Sequence, residues 1–278
     1  YEIPSCLVGS EMCIRDRYLV IGNPIEHSLS PKLQNYWIKN NKLDAVYGKL
    51  ETYQKDLIEL CANLREGKLD GLNVTIPFKN KIIPHLDILS GNALRTQSVN
   101  TISVKEGKLI GDNTDIDGFQ LSLKKIHYDV SDKTILILGA GGVVPSIIYA
   151  LKKMNVSKIV LCNRTKEKAE KLKSIFNEIE IIDWGALIEF DMIINATSLG
   201  LKQNDKFGID FSNVGQNKLF YDVIYEPFQT EFSKAANLPN NKFENGLNMF
   251  VYQAQKAFSI WHNIEPTVNE ELIKFLRD

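Results

Sequence analysis

The first third of the chain alternates short apolar runs with amphipathic stretches, which predicts strands separated by helices. Strands are predicted over residues 18–22, 44–50 and 71–76, and a helix is predicted over residues 55–66. Another helix is predicted to begin near Pro31, between the first two strands. This part of the chain is therefore expected to fold as an α/β domain.

The helix near Pro31 has a recognisable start. Ser30 is predicted to be its N-cap and Pro31 its first residue, because a proline there loses no intrahelical hydrogen bond. Leu33 and Trp37 lie four positions apart, so their side chains are expected to stack on one buried face of the helix.

From Asp132 the alternation of strands and helices becomes more regular. The run TILIL at Thr134–Leu138 is apolar after its first residue, which is typical of a strand covered on both faces of a parallel sheet. Further strands are predicted over residues 158–162, 180–182, 192–196 and 219–223, with helices between several of them. This pattern predicts a doubly wound sheet of the kind that binds nucleotides.

The last part of the chain returns to helical spacing. Apolar residues recur there at steps of three and four: Leu247, Phe250, Val251, Ala254, Phe258 and Trp261. We expect this helix to return to the first domain, with a cleft between two α/β domains. The first domain is predicted over residues 18–115, completed by 247–278, and the second over residues 116–246.

Residues 1–17 differ from the rest of the chain, because they show neither a periodic pattern nor the apolar core of a signal peptide. They are expected to be a disordered tail or one foreign to the fold. A chain that starts at Tyr18 is accordingly predicted to keep full activity.

Composition narrows the classes of function. The 278 residues include 33 basic and 34 acidic side chains, a formal net charge of −1, and no basic stripe that favours a nucleic acid or an anionic membrane. The four cysteines form no CxxC pair, and no histidine pair has metal-ligand spacing. No apolar run approaches the roughly 20 residues that span a bilayer. These features indicate a reduced, cytoplasmic protein without a structural metal.

A glycine-rich turn, GAGGVVPS, directly follows the apolar run TILIL and leads into a helical stretch. Glycines permit a sharp turn out of the strand and a close approach of backbone N–H groups to a pyrophosphate. The following helix N-terminus favours the anion. The third glycine of the GxGxxG pattern is replaced by Val144, and a tight connection without a ligand is the alternative.

The second strand of this half ends in Asn163, Arg164 and Thr165. An acidic residue there accepts hydrogen bonds from the ribose hydroxyls of NAD, whereas the guanidinium of Arg164 suits the 2′-phosphate of NADP. Thr165 and Lys168 are expected to add a hydroxyl and a second charge. The alternative is a solvated Arg164 with Thr165 capping the next helix.

Three polar segments of the first half are candidates for chemistry. Ser28 and Ser30 alternate on an extended stretch, as hydroxyls that bind a carboxylate or polyol do. Thr75 and Lys79 lie at the exit of a predicted strand, where active-site groups commonly occur. Asp115 lies in GDNTDIDG, which fails as a calcium loop because Lys124 stands where that loop requires Glu.

The ordered motifs HSLSP, NVTIPFK, SVNT, GDNTD, GAGG, NRT, NATS, YDVIY and GLNMFVYQA closely resemble the shikimate dehydrogenase family from Tyr18 to the C-terminus. The resemblance implies a first domain that binds shikimate and a Rossmann-type second domain that binds NADP. The sequence departs from the family at Lys168, where Arg is frequent, and at Leu201, where Met is frequent.

The resemblance also implies roles for individual residues. The catalytic pair is Lys79 and Asp115. Substrate contacts are Ser28, Ser30, Thr75, Asn100, Tyr225 and Gln253. Cofactor contacts are Gly139, Ala140, Gly141, Gly142, Asn163, Arg164, Thr165, Lys168, Thr197, Ser198 and Gly246.

Reduction of a ring ketone requires a hydride from the cofactor and a proton from the protein. The ammonium of Lys79 can supply that proton, and an adjacent Asp115 carboxylate favours its charged form. Which of the two carries the mobile proton stays open. Rival functions are a quinate or NAD-using relative and a non-catalytic dinucleotide sensor. The expected partner is the small-molecule substrate, and the expected assembly is a monomer or homodimer.

Overall fold

The computed structural model describes residues 16–202, 205–236 and 240–278. The chain divides into two compact units, one formed by the chain up to Thr114 together with Val251–Asp278, and the other by Asp115–Phe250. The predicted fold class is confirmed: two α/β domains, with the C-terminal helical part from Val251 onward belonging to the first. Among the described residues, no helix is long and apolar enough to cross a membrane.

The described strands are β1 Asp16–Gly22, β2 Ala45–Glu51, β3 Gly71–Val74, β4 Ile88–Leu89, β5 Thr101–Lys105, β6 Lys108–Asp112, β7 Thr134–Leu138, β8 Lys158–Cys162, β9 Glu180–Ile182, β10 Met192–Asn195, β11 Leu219–Asp222 and β12 Lys242–Glu244. The described α-helices are α1 Ser30–Asn40, α2 Leu57–Arg65, α3 Gly91–Thr96, α4 Asp115–Lys125, α5 Val144–Lys153, α6 Lys166–Ile175, α7 Glu231–Ala235, α8 Leu247–His262 and α9 Glu270–Arg277. Short 3₁₀ turns are formed by Gln54–Asp56 and Ile83–His85.

The sheet of the first unit has the strand order β2-β1-β3-β5-β6-β4. Strands β2, β1 and β3 are parallel, whereas β5 runs antiparallel to both β3 and β6. Because of these directions, the carboxyl ends of β1, β3 and β6 and the start of β5 lie at one edge of the sheet. In open α/β sheets, ligands commonly bind at the carboxyl ends of the parallel strands.

The sheet of the second unit is wholly parallel, with the order β12-β11-β10-β7-β8-β9. Counted from β7, this is the Rossmann order 3-2-1-4-5-6 in reverse, and its switch point lies between β7 and β10. Alternate residues of β7 enter different apolar clusters: Ile135 and Ile137 join one, and Leu136 and Leu138 join the other. The prediction that TILIL is covered on both faces is therefore confirmed.

The helix faces predicted from spacing are buried. Leu33 and Trp37 of α1 are 0% and 1% exposed, and the Trp37 indole donates a hydrogen bond to the Thr267 carbonyl in the C-terminal part of the first unit. In the same unit, the ring of Trp261 on α8 lies 4.8 Å from that of Tyr18 on β1. Full burial of such side chains contributes about 1.5–3 kcal/mol each.

Two local predictions were wrong. Asp16 and Arg17 were assigned to the N-terminal tail, yet they are the first residues of β1, and the Arg17 N–H donates to the Asp70 carboxylate at 2.8 Å. The rest of that predicted tail lies outside the described residues. Ser30 is not the N-cap of α1 but its first residue, because Leu29 occupies the cap position with an already helical backbone.

Several predicted boundaries shift by one or two residues. Strand β3 ends at Val74 rather than at residue 76, since the chain turns before Pro77. The stretch predicted as one helix over residues 55–66 begins as a 3₁₀ turn and becomes α-helical at Leu57.

Candidate active site

The glycine-rich turn follows β7 at the switch point of the second sheet. Gly139 has a φ of +106°, and a Cβ at this residue would lie 2.7 Å from the carbonyl oxygen of Ala196, which follows β10. The Gly139 N–H donates to the Cys162 carbonyl at the end of β8, at 2.8 Å. Only glycine fits here, because the backbone has a positive φ and the ends of three neighbouring strands leave no room for a Cβ.

The next residues of the turn leave room for a ligand. Gly141 and Gly142 are exposed, and a Cβ built on Gly142 would meet no atom within 4 Å. Ala140 packs partly against the apolar cluster beneath. Val144, which replaces the third glycine of the fingerprint, is fully buried as the first residue of α5. The turn thus fits a pyrophosphate, with open backbone ahead of a helix N-terminus.

The segment after β8 carries the predicted phosphate-binding residues on its surface. Arg164, Thr165 and Lys168 are exposed, and the Asn163 amide donates to the Thr165 carbonyl at 2.7 Å. Thr165 is the N-cap residue of α6, but its side chain makes no capping hydrogen bond. The alternative in which this hydroxyl is used to cap the helix is therefore not supported.

An aromatic side chain that was not predicted as a site residue lies beside Arg164. The Arg164 guanidinium carbon is 5.8 Å from the centre of the Trp184 ring, which is within the range of a cation–π interaction. Trp184 follows β9, and it meets Arg164 through the pairing of β8 with β9, which no local sequence signal marks.

The segments after β10 and β11 are joined by a buried carboxylate. Asp222 accepts hydrogen bonds from the Asn195 amide at 2.9 Å, from the Thr230 hydroxyl at 2.7 Å and from the Ile224 N–H at 3.1 Å. Burial raises the pKa of Asp222 to about 6, although these three hydrogen bonds lower it. The Thr197 hydroxyl in turn donates to Oδ1 of the Asn195 side chain at 2.7 Å.

This arrangement fixes the loop that carries two predicted cofactor residues. Thr197 also accepts a hydrogen bond from the Leu199 N–H at 3.0 Å, whereas Ser198 is exposed. Gly246 precedes α8, and a side chain there would collide with the Val223 carbonyl. Gly246 is therefore required for packing, whatever else it contacts. Asn195 and Asp222 were missed as individual residues, although NATS and YDVIY contain them.

The loops after β1 and β3 hold the polar residues predicted for the substrate. The Ser28 hydroxyl accepts a hydrogen bond from the Ser30 N–H at 3.3 Å, so the two serines share one turn. The Thr75 N–H donates to the Ile21 carbonyl at 2.9 Å, which places Thr75 beside the end of β1. Thr75 therefore lies at the carboxyl edge of the first sheet, and the two serines lie in the segment between β1 and α1.

The backbone carbonyl of Lys79 accepts a hydrogen bond from the Val99 N–H at 2.8 Å. This contact places Lys79 beside the residue that precedes Asn100, just before β5 begins. The side chain of Lys79 is half-buried. Lys79 thus belongs to the same sheet edge as the predicted substrate contacts.

Asn100 is the centre of a buried hydrogen-bond network. Its carbonyl oxygen Oδ1 accepts from the Thr114 N–H at 2.8 Å and from the Thr101 hydroxyl at 3.0 Å. Its amide donates to the Thr114 hydroxyl at 3.0 Å and to Oε1 of Gln253 at 3.4 Å. The structure therefore brings together two predicted substrate residues that are 153 positions apart.

A second layer supports this network and was not identified from the sequence. The buried Tyr47 hydroxyl donates to Oδ1 of Asn73 at 2.6 Å, and burial raises the pKa of Tyr47 well above its usual value. The Asn73 amide donates to the Asn100 carbonyl at 2.9 Å and to the Thr101 hydroxyl at 3.1 Å. Tyr47 and Asn73 thus hold the backbone carbonyl of Asn100 in place.

The remaining predicted residues belong to the second unit. Asp115 is the first residue of α4 and is 5% exposed; it directly follows Thr114 of the Asn100 network. A carboxylate in the first helical turn interacts favourably with the helix dipole. The ring of Tyr225 stacks on Phe250 of the same unit, with ring centres 4.7 Å apart.

Comparison with known proteins identifies the family. Residues 20–102 match the shikimate dehydrogenase substrate-binding domain, and residues 120–202 match the shikimate/quinate 5-dehydrogenase domain. The chain is 55% identical over 263 residues to a shikimate dehydrogenase (NADP(+)) of Pelagibacter ubique, covering 95% of this chain and 99% of that protein.

Solved structures give the same result. The crystal structure of shikimate dehydrogenase from Aquifex aeolicus has a TM-score of 0.89 and 37% identity, covering 97% of this chain and all of that one. A structure from Thermus thermophilus in complex with NADP(H) and shikimate has a TM-score of 0.86 and 28% identity, covering 94% and 98% of the two chains. The predicted family is confirmed: this chain belongs to the shikimate dehydrogenases.

Proposed function

We propose that this chain catalyses the reversible, NADP-dependent interconversion of shikimate and 3-dehydroshikimate. One observation carries the proposal beyond family membership. The edge of the first sheet gathers hydroxyl and amide groups around Asn100, with Lys79 in the same row and Gln253 joined from α8. Such a set matches a substrate that has a carboxylate, several hydroxyls and one reacting carbonyl.

Ser28 and Ser30 are proposed to donate hydrogen bonds to the substrate carboxylate. The groups proposed to bind the substrate ring and its hydroxyls are Thr75, Asn100, Tyr225 and Gln253. Hydrogen bonds to a charged group contribute about 1.5–3 kcal/mol each, so the contacts with the carboxylate are expected to be the strongest of the set. Because Asn100 and Gln253 are held by their own network, they are pre-organised for the ring.

Lys79 and Asp115 are proposed to be the acid/base pair. When shikimate is oxidised, the C–H bond at the reacting carbon breaks and its hydride leaves, while the hydroxyl proton passes to the pair. In reduction the same pair returns a proton to the carbonyl oxygen. The cofactor supplies or accepts the hydride when bound, and the protein positions the carbon and manages the proton.

The second unit is proposed to bind NADP. The residues proposed to line the pyrophosphate are Gly139, Ala140, Gly141 and Gly142. Asn163, Arg164, Thr165 and Lys168 are proposed to bind the adenosine half, and Thr197, Ser198 and Gly246 to lie along the nicotinamide. The support is the open turn at the switch point and the absence of an acidic residue where NAD-binding sites carry one.

A matrix of assays tests the proposal. The purified protein is mixed with shikimate or quinate and with NADP+ or NAD+, and reduced cofactor is followed at 340 nm. Rapid turnover of shikimate with NADP+ is expected. Because one matching domain is shared by shikimate and quinate enzymes, quinate is the second candidate substrate. Turnover of quinate but not of shikimate, or turnover of shikimate with NAD+ but not with NADP+, would contradict the proposed specificity.

The proposal includes a cytoplasmic location and a monomer or homodimer that binds no nucleic acid. The two described cysteines, Cys61 and Cys162, are buried thiols, and burial raises the pKa of Cys61 to about 11. Such thiols are poor nucleophiles, which suits a protein that does not depend on disulfides.

A further inference from the structure

Trp184 lies where β9 ends, beside the residue proposed to bind the 2′-phosphate. Cys162 and Ile182 are the last register partners of β8 and β9. Arg164 and Trp184 each stand two residues beyond these partners, at the same end of the two neighbouring strands. The distance of 5.8 Å between the guanidinium carbon and the ring centre agrees with this placement.

The Trp184 ring is held by its surroundings. It is half-buried and packs against the apolar cluster on one face of the second sheet, together with Leu187 and Ile188. The Ala186 N–H donates to the Asp183 carbonyl at 3.1 Å, and the Cys162 thiol lies 3.3 Å from the same carbonyl. The backbone around the ring is thus tied to the end of β8, and the ring itself packs against the apolar cluster.

The Arg164 side chain, unlike that of Trp184, is not packed into the protein. It is exposed, and among the described residues it makes neither a hydrogen bond nor an ion pair. Its guanidinium carbon lies 5.8 Å from the centre of the Trp184 ring, and no described hydrogen bond or ion pair engages its N–H groups. Those N–H groups form the fork that binds phosphate oxygens.

We propose that Trp184 is a specificity-determining residue that holds the guanidinium of Arg164 in position for the 2′-phosphate of NADP. This inference rests on the proposed use of NADP. Without the ring, Arg164 must be immobilised at the moment of binding, because a free arginine side chain loses much rotamer entropy when it is ordered. Trp184 therefore raises the affinity for NADP+ but not for NAD+, which lacks the phosphate.

The test measures binding rather than turnover. Dissociation constants for NADP+ and NAD+ are determined by titration calorimetry for the wild type, Trp184→Leu and the matched control Trp184→Phe. A cation–π contact at an exposed site corresponds to about a two- to fivefold change in affinity. Trp184→Leu should weaken NADP+ by this factor and leave NAD+ unchanged, whereas Trp184→Phe should keep part of the effect because it retains a ring.

A double-mutant cycle identifies the mechanism. In an Arg164→Leu background, Trp184→Leu should have no further effect on NADP+ binding, since its proposed partner is gone. Melting temperatures and shikimate affinity serve as controls for folding. Equal weakening of NADP+ and NAD+, or an unchanged effect in the Arg164→Leu background, overturns the inference. If the wild type binds neither nucleotide, the proposed function fails instead.

Discussion

Two glycines of the turn after β7 have different physical requirements, and alanine substitutions should separate them. At Gly139 the backbone has a φ of +106°, and a Cβ would lie 2.7 Å from the Ala196 oxygen and 2.9 Å from its carbonyl carbon. At Gly141 the φ is not in the left-handed region, and the nearest atom to a Cβ is 3.6 Å away.

The sizes of the two effects follow from these distances. Backbone strain of this type costs about 1–3 kcal/mol, and forced overpacking adds about 1–3 kcal/mol. Gly139→Ala should therefore lower the free energy of unfolding by about 2 kcal/mol or more, and the melting temperature by about 5 °C or more. Gly141→Ala should change the free energy of unfolding by less than about 1 kcal/mol.

The affinity for NADP+, unlike the stability, should be sensitive to substitution of Gly141. The second glycine of the fingerprint lets the backbone approach the pyrophosphate, so a methyl group on residue 141 pushes the ligand away. We expect Gly141→Ala to weaken NADP+ by about tenfold, or about 1.4 kcal/mol, in a protein that melts like the wild type. Thermal denaturation and titration calorimetry measure the two quantities separately. Wild-type affinity in Gly141→Ala, or a melting temperature as high for Gly139→Ala as for Gly141→Ala, would refute this reasoning.

Two further substitutions test the supporting networks. Tyr47→Phe removes the hydroxyl that donates to Asn73 and leaves the buried Oδ1 of Asn73 without this donor, so the free energy of unfolding should fall by about 1–3 kcal/mol. The KM for shikimate should rise, while the affinity for NADP+ should stay unchanged. An unaltered melting curve would contradict the role of this hydrogen bond. The pKa of Asp222 is raised by burial from 3.8 to about 6, so its contribution to stability is fully present below about pH 4 and is lost as the pH rises through about 6. Between about pH 4 and pH 8 the free energy of unfolding of the wild type should therefore fall by up to about 3 kcal/mol relative to that of Asp222→Asn. Urea unfolding of both proteins across this pH range measures the difference. A difference that stays constant with pH would be incompatible with a raised pKa.

Much of the fold was predictable because its signals are local. Thr134–Leu138 is apolar at every position but the first since both faces of β7 are covered, and the spacing of Leu33 and Trp37 reflects one turn of α1. The order of the family motifs added the expected roles of residues such as Lys79, which remain predictions. These inferences require only neighbours in sequence or a known pattern.

The rest depends on contacts that no local pattern encodes. Tyr47 meets Asn73 because β2 and β3 lie on opposite sides of β1, an order that the sequence does not display. Trp184 meets Arg164 only through the pairing of β8 with β9. Ser30 was misassigned as an N-cap because Leu29 already has helical backbone angles, which side-chain preference alone does not reveal.

The most direct measurement is the rate of NADPH formation from shikimate and NADP+ by the wild type and by Lys79→Ala. The wild type should turn over rapidly, and the variant should be slower by about 10²–10⁴-fold, because it lacks a positioned acid/base group. Shikimate and NADP+ affinities of the variant should change far less. Near-normal turnover by Lys79→Ala would contradict the assigned chemistry, and a folded wild type that binds both ligands but forms no NADPH would contradict the proposed reaction.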